Sequence, residues 1–211
     1  MLAGLTGKHI ASAGRLGSGP ALGPQGAGLA DVGIATRDSL RDWLRAPGSL
    51  SRRLAKLGER FEVQVLRQGV APFRTLERLA LGLPPRGLTV VREVILRVDG
   101  EPLVWARSAV HQRATTGPWR ALKGLGTKPL AHLLYDDYRI HRSELQPRRL
   151  SRHGHTRRHA ARQWQAATGE AIAAQMLWSR NSVFSRSGAQ LRVMELFAPG
   201  LAGQRPGRPR R

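Results

Sequence analysis

Residues 88–110 read LTVVREVILRVDGEPLVWARSAV and contain the strongest short-range fold signal of the chain. The apolar stretches 88–98 and 103–110 flank Asp99-Gly100, a pair that favours the backbone of a two-residue hairpin turn. Strands joined by so short a turn pair antiparallel, because a parallel pair needs a long crossover. This segment therefore predicts a fold built on an antiparallel sheet.

Further strands and helices are predicted on both sides of this hairpin. Residues 177–186 and 190–197 form a second candidate hairpin around Ser187-Gly188, and residues 61–65 alternate as a half-buried strand. Helical spacing and capping residues predict short helices near Asp38, from Ser49 or Ser51 to Gly58, after Gly117-Pro118, and from Thr127 onward. Hairpin-paired strands with helices before and between them argue for an α+β domain.

Two charged residues, Arg92 and Glu195, lie where strand periodicity places apolar side chains. Their predicted strand faces are otherwise apolar: Val90, Val94, Leu96 and Val98 beside Arg92, and Leu191, Val193 and Phe197 beside Glu195. Burying an ion costs several kcal/mol unless an opposite charge or fixed dipoles compensate. A ligand is one candidate for that compensation, and we therefore predict an internal pocket for a small anion.

Composition limits the class of protein. A length of 211 residues fits one domain with some extra sequence, and the absence of cysteine excludes disulfides and thiolate metal sites. No apolar run approaches the roughly 20 residues that span a bilayer, and the N-terminus lacks the apolar core of a secretory signal. We expect a cytoplasmic protein without a membrane span.

Much of the formal charge of +21 comes from two segments without acidic residues, 147–162 and 205–211. Two interpretations remain open for them. They are either solvated and poorly ordered appendages, which we favour, or a contact with a polyanion or a membrane surface. Residues 1–36 are rich in Gly, Ala and Pro without periodicity, and this composition predicts a disordered leader.

Several short motifs follow one another in a fixed order along the chain. They are VREVIL at 91–96, DGEP at 99–102, GP at 117–118, LGTKPL at 125–130, WSRNS at 178–182 and ELFAP at 195–199, preceded by DWL at 42–44, GSLSRRL at 48–54 and LRQG at 66–69. In order and spacing they resemble the bacterial chorismate–pyruvate lyases of ubiquinone biosynthesis. The likeness covers roughly 37–201.

The resemblance implies a six-stranded antiparallel sheet flanked by helices, with helical flaps over an internal ligand cavity. It implies conversion of chorismate to 4-hydroxybenzoate and pyruvate, the first committed step of ubiquinone biosynthesis, with no metal or organic cofactor. The family's essential arginine falls on Arg92 and its ligand-contacting glutamate on Glu195. A leucine whose backbone lines the pocket falls on Leu130, and a flap residue falls on Leu50.

The chain departs from the family pattern in three places. Its leader is longer, and the family's proline after the second hairpin strand is replaced around His111-Gln112. Residues 148–176 resemble an insertion into the family pattern, placed before the C-terminal hairpin. We therefore expect a leader at 1–36, a lyase domain at 37–201 that contains this basic insertion, and a disordered basic tail at 202–211. We expect the protein to act as a monomer.

Other charged residues have less specific interpretations. An internal ion pair between Arg92 and Glu195 is an alternative to ligand binding, and the two are compatible if substrate inserts between them. Arg107 and Arg180 are expected at the surface or the rim, with a smaller chance of holding the dianion. The three histidines of the insertion have some metal-like spacing, but the flanking arginines oppose a cation, so we expect solvent-facing side chains and no metal: His153, His155 and His159.

Two alternative functions remain. One is a domain of similar fold that senses small acids in bacterial transcription regulators, against which we count the lack of a helix-turn-helix pattern before residue 37. The other is a basic nucleic-acid binder, which rests on charge alone and predicts a steep salt dependence of binding. We expect no specific nucleic-acid partner, and we expect chorismate and 4-hydroxybenzoate as the ligands.

Overall fold

Seven antiparallel strands form one sheet in the computed structural model, which describes residues 40–72, 74–83, 87–204 and 206. The strands are β1 (Phe61–Pro72), β2 (Leu88–Val98), β3 (Glu101–His111), β4 (His141–Arg142), β5 (Gln146–Arg149), β6 (Trp178–Arg186) and β7 (Ala189–Phe197). Six of them follow the order β1-β2-β3-β7-β6-β4, and β5 also pairs with β6. The predicted α+β class with an antiparallel sheet is confirmed, and β5 makes a seventh strand.

Both predicted hairpins are present. Their turn residues have positive φ angles, 50° at Asp99, 84° at Gly100, 47° at Ser187 and 75° at Gly188, as two-residue hairpin turns require. The Asp99 carboxylate also accepts a hydrogen bond from the amide of Arg60 at 2.7 Å, which ties the turn to the start of β1. These turns fix the register of the central strands and therefore decide which side chains share a face.

Short helices connect and cover the strands. They are α1 (described over 40–45), α2 (Leu50–Leu54), α3 (Thr75–Ala80), α4 (Ala131–Tyr135), α5 (His155–Thr168) and the 3₁₀ helices Gln112–Thr116, Arg120–Leu122 and Pro199–Gly203. The Ser49 hydroxyl caps α2 by accepting from the Arg52 amide at 3.2 Å. α2 ends at Leu54 in a turn before Gly58, and the predicted cap Asp38 lies outside the described residues.

One face of the sheet, which we call the cavity face, is covered by α1, α2, the 3₁₀ helices and α4. An apolar cluster at one end includes Trp43, Leu54 and Phe197, and a second cluster at the other end includes Trp119 and Leu191. Both clusters are buried, so they hold the helices against the strands. The candidate site lies between them.

The opposite face is covered by α3 and α5. Ala160 and Trp164, one turn apart on α5, are buried against Trp105 of β3 and Leu196 of β7. The prediction that this basic segment is a poorly ordered appendage is therefore wrong, because one stripe of α5 is apolar while its charges lie on the other sides. Within the described part of the chain, no helix has the length and hydropathy to cross a bilayer.

The folded chain continues past the predicted boundary at residue 201. Leu201 and Ala202 are buried, and the Trp43 indole N–H donates to the carbonyl of Gln204 at 2.6 Å. The first residues of the predicted tail thus belong to the core around Trp43. The predicted leader 1–36, residue 205 and residues 207–211 lie outside the described residues.

Candidate active site

A cavity of about 60 Å³ lies between the cavity face and the helices α2 and α4. The four residues predicted from sequence, Arg92, Glu195, Leu130 and Leu50, all line it. A volume of this size holds only about four to six water molecules. The cavity is thus smaller than a ring with two carboxylate-bearing substituents, so α2, α4 or their loops must move for such a ligand to enter.

Arg92 lies on β2 and is 3% exposed. Its Nη2 donates to the carbonyls of Gly126 at 2.8 Å and Lys128 at 3.1 Å, in the loop that leads to α4. Its Nε–H is buried without a hydrogen-bond partner, and Arg92 forms no ion pair among the described residues. Burial lowers the pKa of this guanidinium, since no nearby carboxylate compensates the charge. An anion in the cavity would supply the missing partner.

Glu195 on β7 pairs with Arg180, its neighbour on β6. Arg180 is 1% exposed and its Nη1 donates to the carbonyls of Trp43 at 3.3 Å and Ala46 at 3.0 Å. Glu195 is therefore oriented by Arg180, and the alternative pair between Arg92 and Glu195 is not formed. The expectation that Arg180 lies at the surface is wrong.

Tyr135 and Arg142 also belong to the polar lining, and sequence reasoning missed both. The Arg142 Nη1 donates to the Tyr135 hydroxyl at 2.8 Å and to the Gly48 carbonyl at 3.0 Å, and the same carbonyl accepts from the Tyr135 hydroxyl at 2.8 Å. Burial raises the pKa of Tyr135 and lowers that of Arg142. The tyrosine therefore stays protonated, and it links α4 to the loop before α2.

The helices over the cavity are held to each other by few contacts. Arg52 of α2 pairs with Asp136 after α4 at 2.7 Å, with both side chains more than half exposed. Such a surface pair contributes only about 0–1 kcal/mol. The Gly48 carbonyl adds hydrogen bonds from Tyr135 and Arg142. Opening this cover breaks these polar contacts and also uncovers the buried Leu50.

Two other predicted residues lie away from the cavity. Arg107 is buried on the opposite face, where it pairs with Glu77 of α3 and Glu93 of β2, so its predicted surface position is wrong. His159 of α5 is bonded to Glu93 at 2.7 Å with a side chain only 12% exposed, so it is not solvent-facing. No cluster of three or more His, Cys, Asp or Glu residues in the described ranges could hold a metal ion.

Two comparisons by sequence agree on one family. The family model described as chorismate lyase matches residues 31–204. A protein of Albidiferax ferrireducens named "Probable chorismate pyruvate-lyase" is 46% identical over 77% of this chain and 82% of its own length. A protein of the same name from Azoarcus is 40% identical over 78% of this chain and 86% of its own.

Similarity to solved structures is lower. The C-terminal domain of a histidine utilization repressor from Pseudomonas syringae aligns over 72% of this chain and 100% of its own, with 12% identity and a TM-score of 0.48. The two relatives have much higher sequence identity to this chain than that repressor domain has. On these matches, this chain belongs to the chorismate lyase family.

Proposed function

We propose that this protein converts chorismate to 4-hydroxybenzoate and pyruvate in the cavity beneath α2 and α4, the first committed step of ubiquinone biosynthesis. Family membership and the names of the relatives support the reaction. One observation carries the assignment to this cavity. Arg92 is a buried cation whose Nε–H has no partner among the described residues, and it lines a cavity together with Arg142 and Arg180.

The charge of the lining supports the same ligand. Arg92, Arg142 and Arg180 face the cavity together with Glu195, and Arg180 already neutralises that glutamate. Arg92 and Arg142 form no ion pair among the described residues, and chorismate carries two carboxylates. A guanidinium binds carboxylate through parallel N–H donors and keeps its proton when buried, which makes arginine well suited to this role.

The reaction requires positioning more than it requires a protein nucleophile. The bond between the ring and the enolpyruvyl oxygen breaks, the hydrogen on the hydroxyl-bearing ring carbon leaves, and the departing side chain takes up a hydrogen to become pyruvate. The ring becomes aromatic, which supplies the driving force. A closed, cationic cavity would select the reactive conformer and stabilise the negative charge that shifts onto the leaving group.

We assign the individual roles from position. Arg92 binds a substrate carboxylate, and Glu195, held by Arg180, accepts a hydrogen bond from the ring hydroxyl or moves the ring proton. Leu50 and Leu130 close the cavity from α2 and from the residue before α4. Because the product keeps the ring, one carboxylate and the hydroxyl, we expect it to bind tightly and leave only when these flaps open.

The test is a turnover assay on the full chain. Purified protein is incubated with chorismate, while 4-hydroxybenzoate is followed by its absorbance and pyruvate by a coupled dehydrogenase. We expect equal amounts of the two products, without added metal or cofactor. Saturable binding of chorismate without either product would contradict the proposal and indicate a small-acid sensor. We further expect a cytoplasmic monomer, which fractionation and light scattering would check.

A further inference from the structure

A second cavity, of about 560 Å³, opens on the opposite face of the sheet and has no part in the proposed reaction. It lies between α3, the segment around β5 and the start of α5. Six arginines and one glutamate, Glu77, are among its lining residues; the arginines are Arg74, Arg107, Arg148, Arg149, Arg157 and Arg192. The excess of cations in one concave site is the feature that requires an explanation.

The floor of this cavity carries a buried cation without a carboxylate partner. Arg192 is 7% exposed, and it donates to the side-chain oxygen of Asn181 at 2.6 Å but forms no ion pair within the described ranges. Arg107 beside it is fully occupied by Glu77 and Glu93. Burial lowers the pKa of Arg192, Glu77 opposes this effect, and the charge of Arg148 lowers the pKa further. The positive charge of Arg192 therefore has no carboxylate partner among the described residues, and an anion in the cavity could pair with it.

The wall of the cavity adds further hydrogen-bond donors, which are backbone amides and guanidiniums. α5 begins here, its N-cap Gly154 offers no side-chain cap, and its first turn contains no acidic residue. The first amides of a helix have no intrahelical acceptor and favour an anion. Arg148 and Arg149 of β5 are exposed at the rim and form no ion pairs in the described part of the chain. Buried and exposed guanidiniums therefore surround uncapped amides.

We infer that this cavity is a second, separate anion site, and that it binds a phosphate monoester or diphosphate group. A terminal phosphoryl group presents three oxygens in a tetrahedral array, so it can accept from several guanidiniums and from helix amides at once. A carboxylate has two oxygens in one plane and would satisfy fewer of them. The basic segment of β5 and α5 thereby acquires a binding role that the lyase cavity does not need.

The test measures binding of inorganic diphosphate to the full chain by calorimetry, with citrate as the carboxylate control. We expect saturable binding of one diphosphate per chain, and binding of citrate at least tenfold weaker. Arg148→Glu with Arg149→Glu should weaken diphosphate binding at least tenfold. The matched control, Arg113→Glu with Arg120→Glu, changes the net charge equally at exposed positions away from this cavity and should change the affinity less than twofold.

Arg192→Met tests the floor separately, because it removes the buried charge while keeping an unbranched apolar stem. This variant should also bind diphosphate at least tenfold more weakly, with an unchanged or higher Tm.

A second experiment measures binding to vesicles of phosphatidylcholine with phosphatidic acid. Binding that depends on the rim arginines would identify a lipid-borne phosphate, and diphosphate binding alone a free one. Equal loss in the rim and control variants, citrate binding as tight as diphosphate, or no saturable binding would overturn the inference.

Discussion

Replacement of Arg92 by methionine separates the function of this residue from its contribution to stability. The substitution keeps most of the side-chain volume but removes a buried charge that has no ion-pair partner among the described residues. Losing a charge-assisted contact to an enclosed anion costs about 2–5 kcal/mol, which corresponds to a fall in kcat/KM of roughly thirty-fold to several-thousand-fold.

The same substitution should change stability little. The protein loses two hydrogen bonds to the carbonyls of Gly126 and Lys128, worth about 1 kcal/mol each, but it no longer has to bury an uncompensated cation. We expect kcat/KM to fall while the Tm stays within a few degrees of wild type. Arg92→Lys should recover only part of the activity, since an ammonium lacks the planar fork.

The assay follows 4-hydroxybenzoate formation over a range of chorismate concentrations, with thermal unfolding measured on the same samples. Arg97→Ala is the matched control, because Arg97 lies on the same strand but donates to Gln64 and to backbone carbonyls away from the cavity. It should keep near-normal kcat/KM. A folded Arg92→Met with near-normal turnover would refute the assignment of Arg92 to substrate binding.

Three further predictions concern the flap, the opposite face and the C-terminus. Leu50→Ala should weaken inhibition by 4-hydroxybenzoate and reduce the product burst in stopped-flow mixing, while costing about 2–5 kcal/mol of stability because the leucine is buried; an unchanged burst and inhibition constant would argue against a sealing role. Burial alone would raise the pKa of Glu93, but its hydrogen bond with His159 and its charged hydrogen bond with Arg107 lower that pKa to about 2. Its stabilising contribution is therefore complete above the ordinary carboxyl pKa and is lost as the pH falls toward 2, so wild type should lose more stability than Glu93→Gln over that range in denaturant titrations; parallel pH profiles would contradict this. A chain ended after Gln204 should keep its Tm, whereas one ended after Gly200 should lose several degrees with the buried Leu201; equal Tm values would show that this segment does not stabilise the fold.

The fold and two of the site residues could be predicted because short-range rules govern them. The hairpin turn at Asp99-Gly100 fixes which residues of β2 and β3 are opposite each other, and a charge on an apolar strand face identifies Arg92 and Glu195. The same logic applied to the second hairpin would have placed Arg180 directly across from Glu195. Arg180 was instead predicted at the surface or the rim, because its strand was judged alone and not with its partner.

The remaining misses have different physical causes. β1 extends beyond the predicted 61–65 to Pro72 because a bulge between Val65 and Arg67 breaks the two-residue alternation. The apolar stripe of α5 was hidden among its charges, although Ala160 and Trp164 are spaced for one face. Tyr135 ends α4 and Arg142 ends the two-residue strand β4, and elements this short show no periodicity in the sequence.

The most direct test of the account is a crystal structure of the protein with 4-hydroxybenzoate bound. We predict that the product lies in the cavity beneath α2 and α4, with its carboxylate within hydrogen-bond distance of the Arg92 Nε and its hydroxyl against Glu195. Leu50 and Leu130 should close over the ring. A product bound at the arginine-lined cavity on the opposite face, or one whose carboxylate contacts Arg142 and leaves Arg92 without an anion, would contradict the assignment.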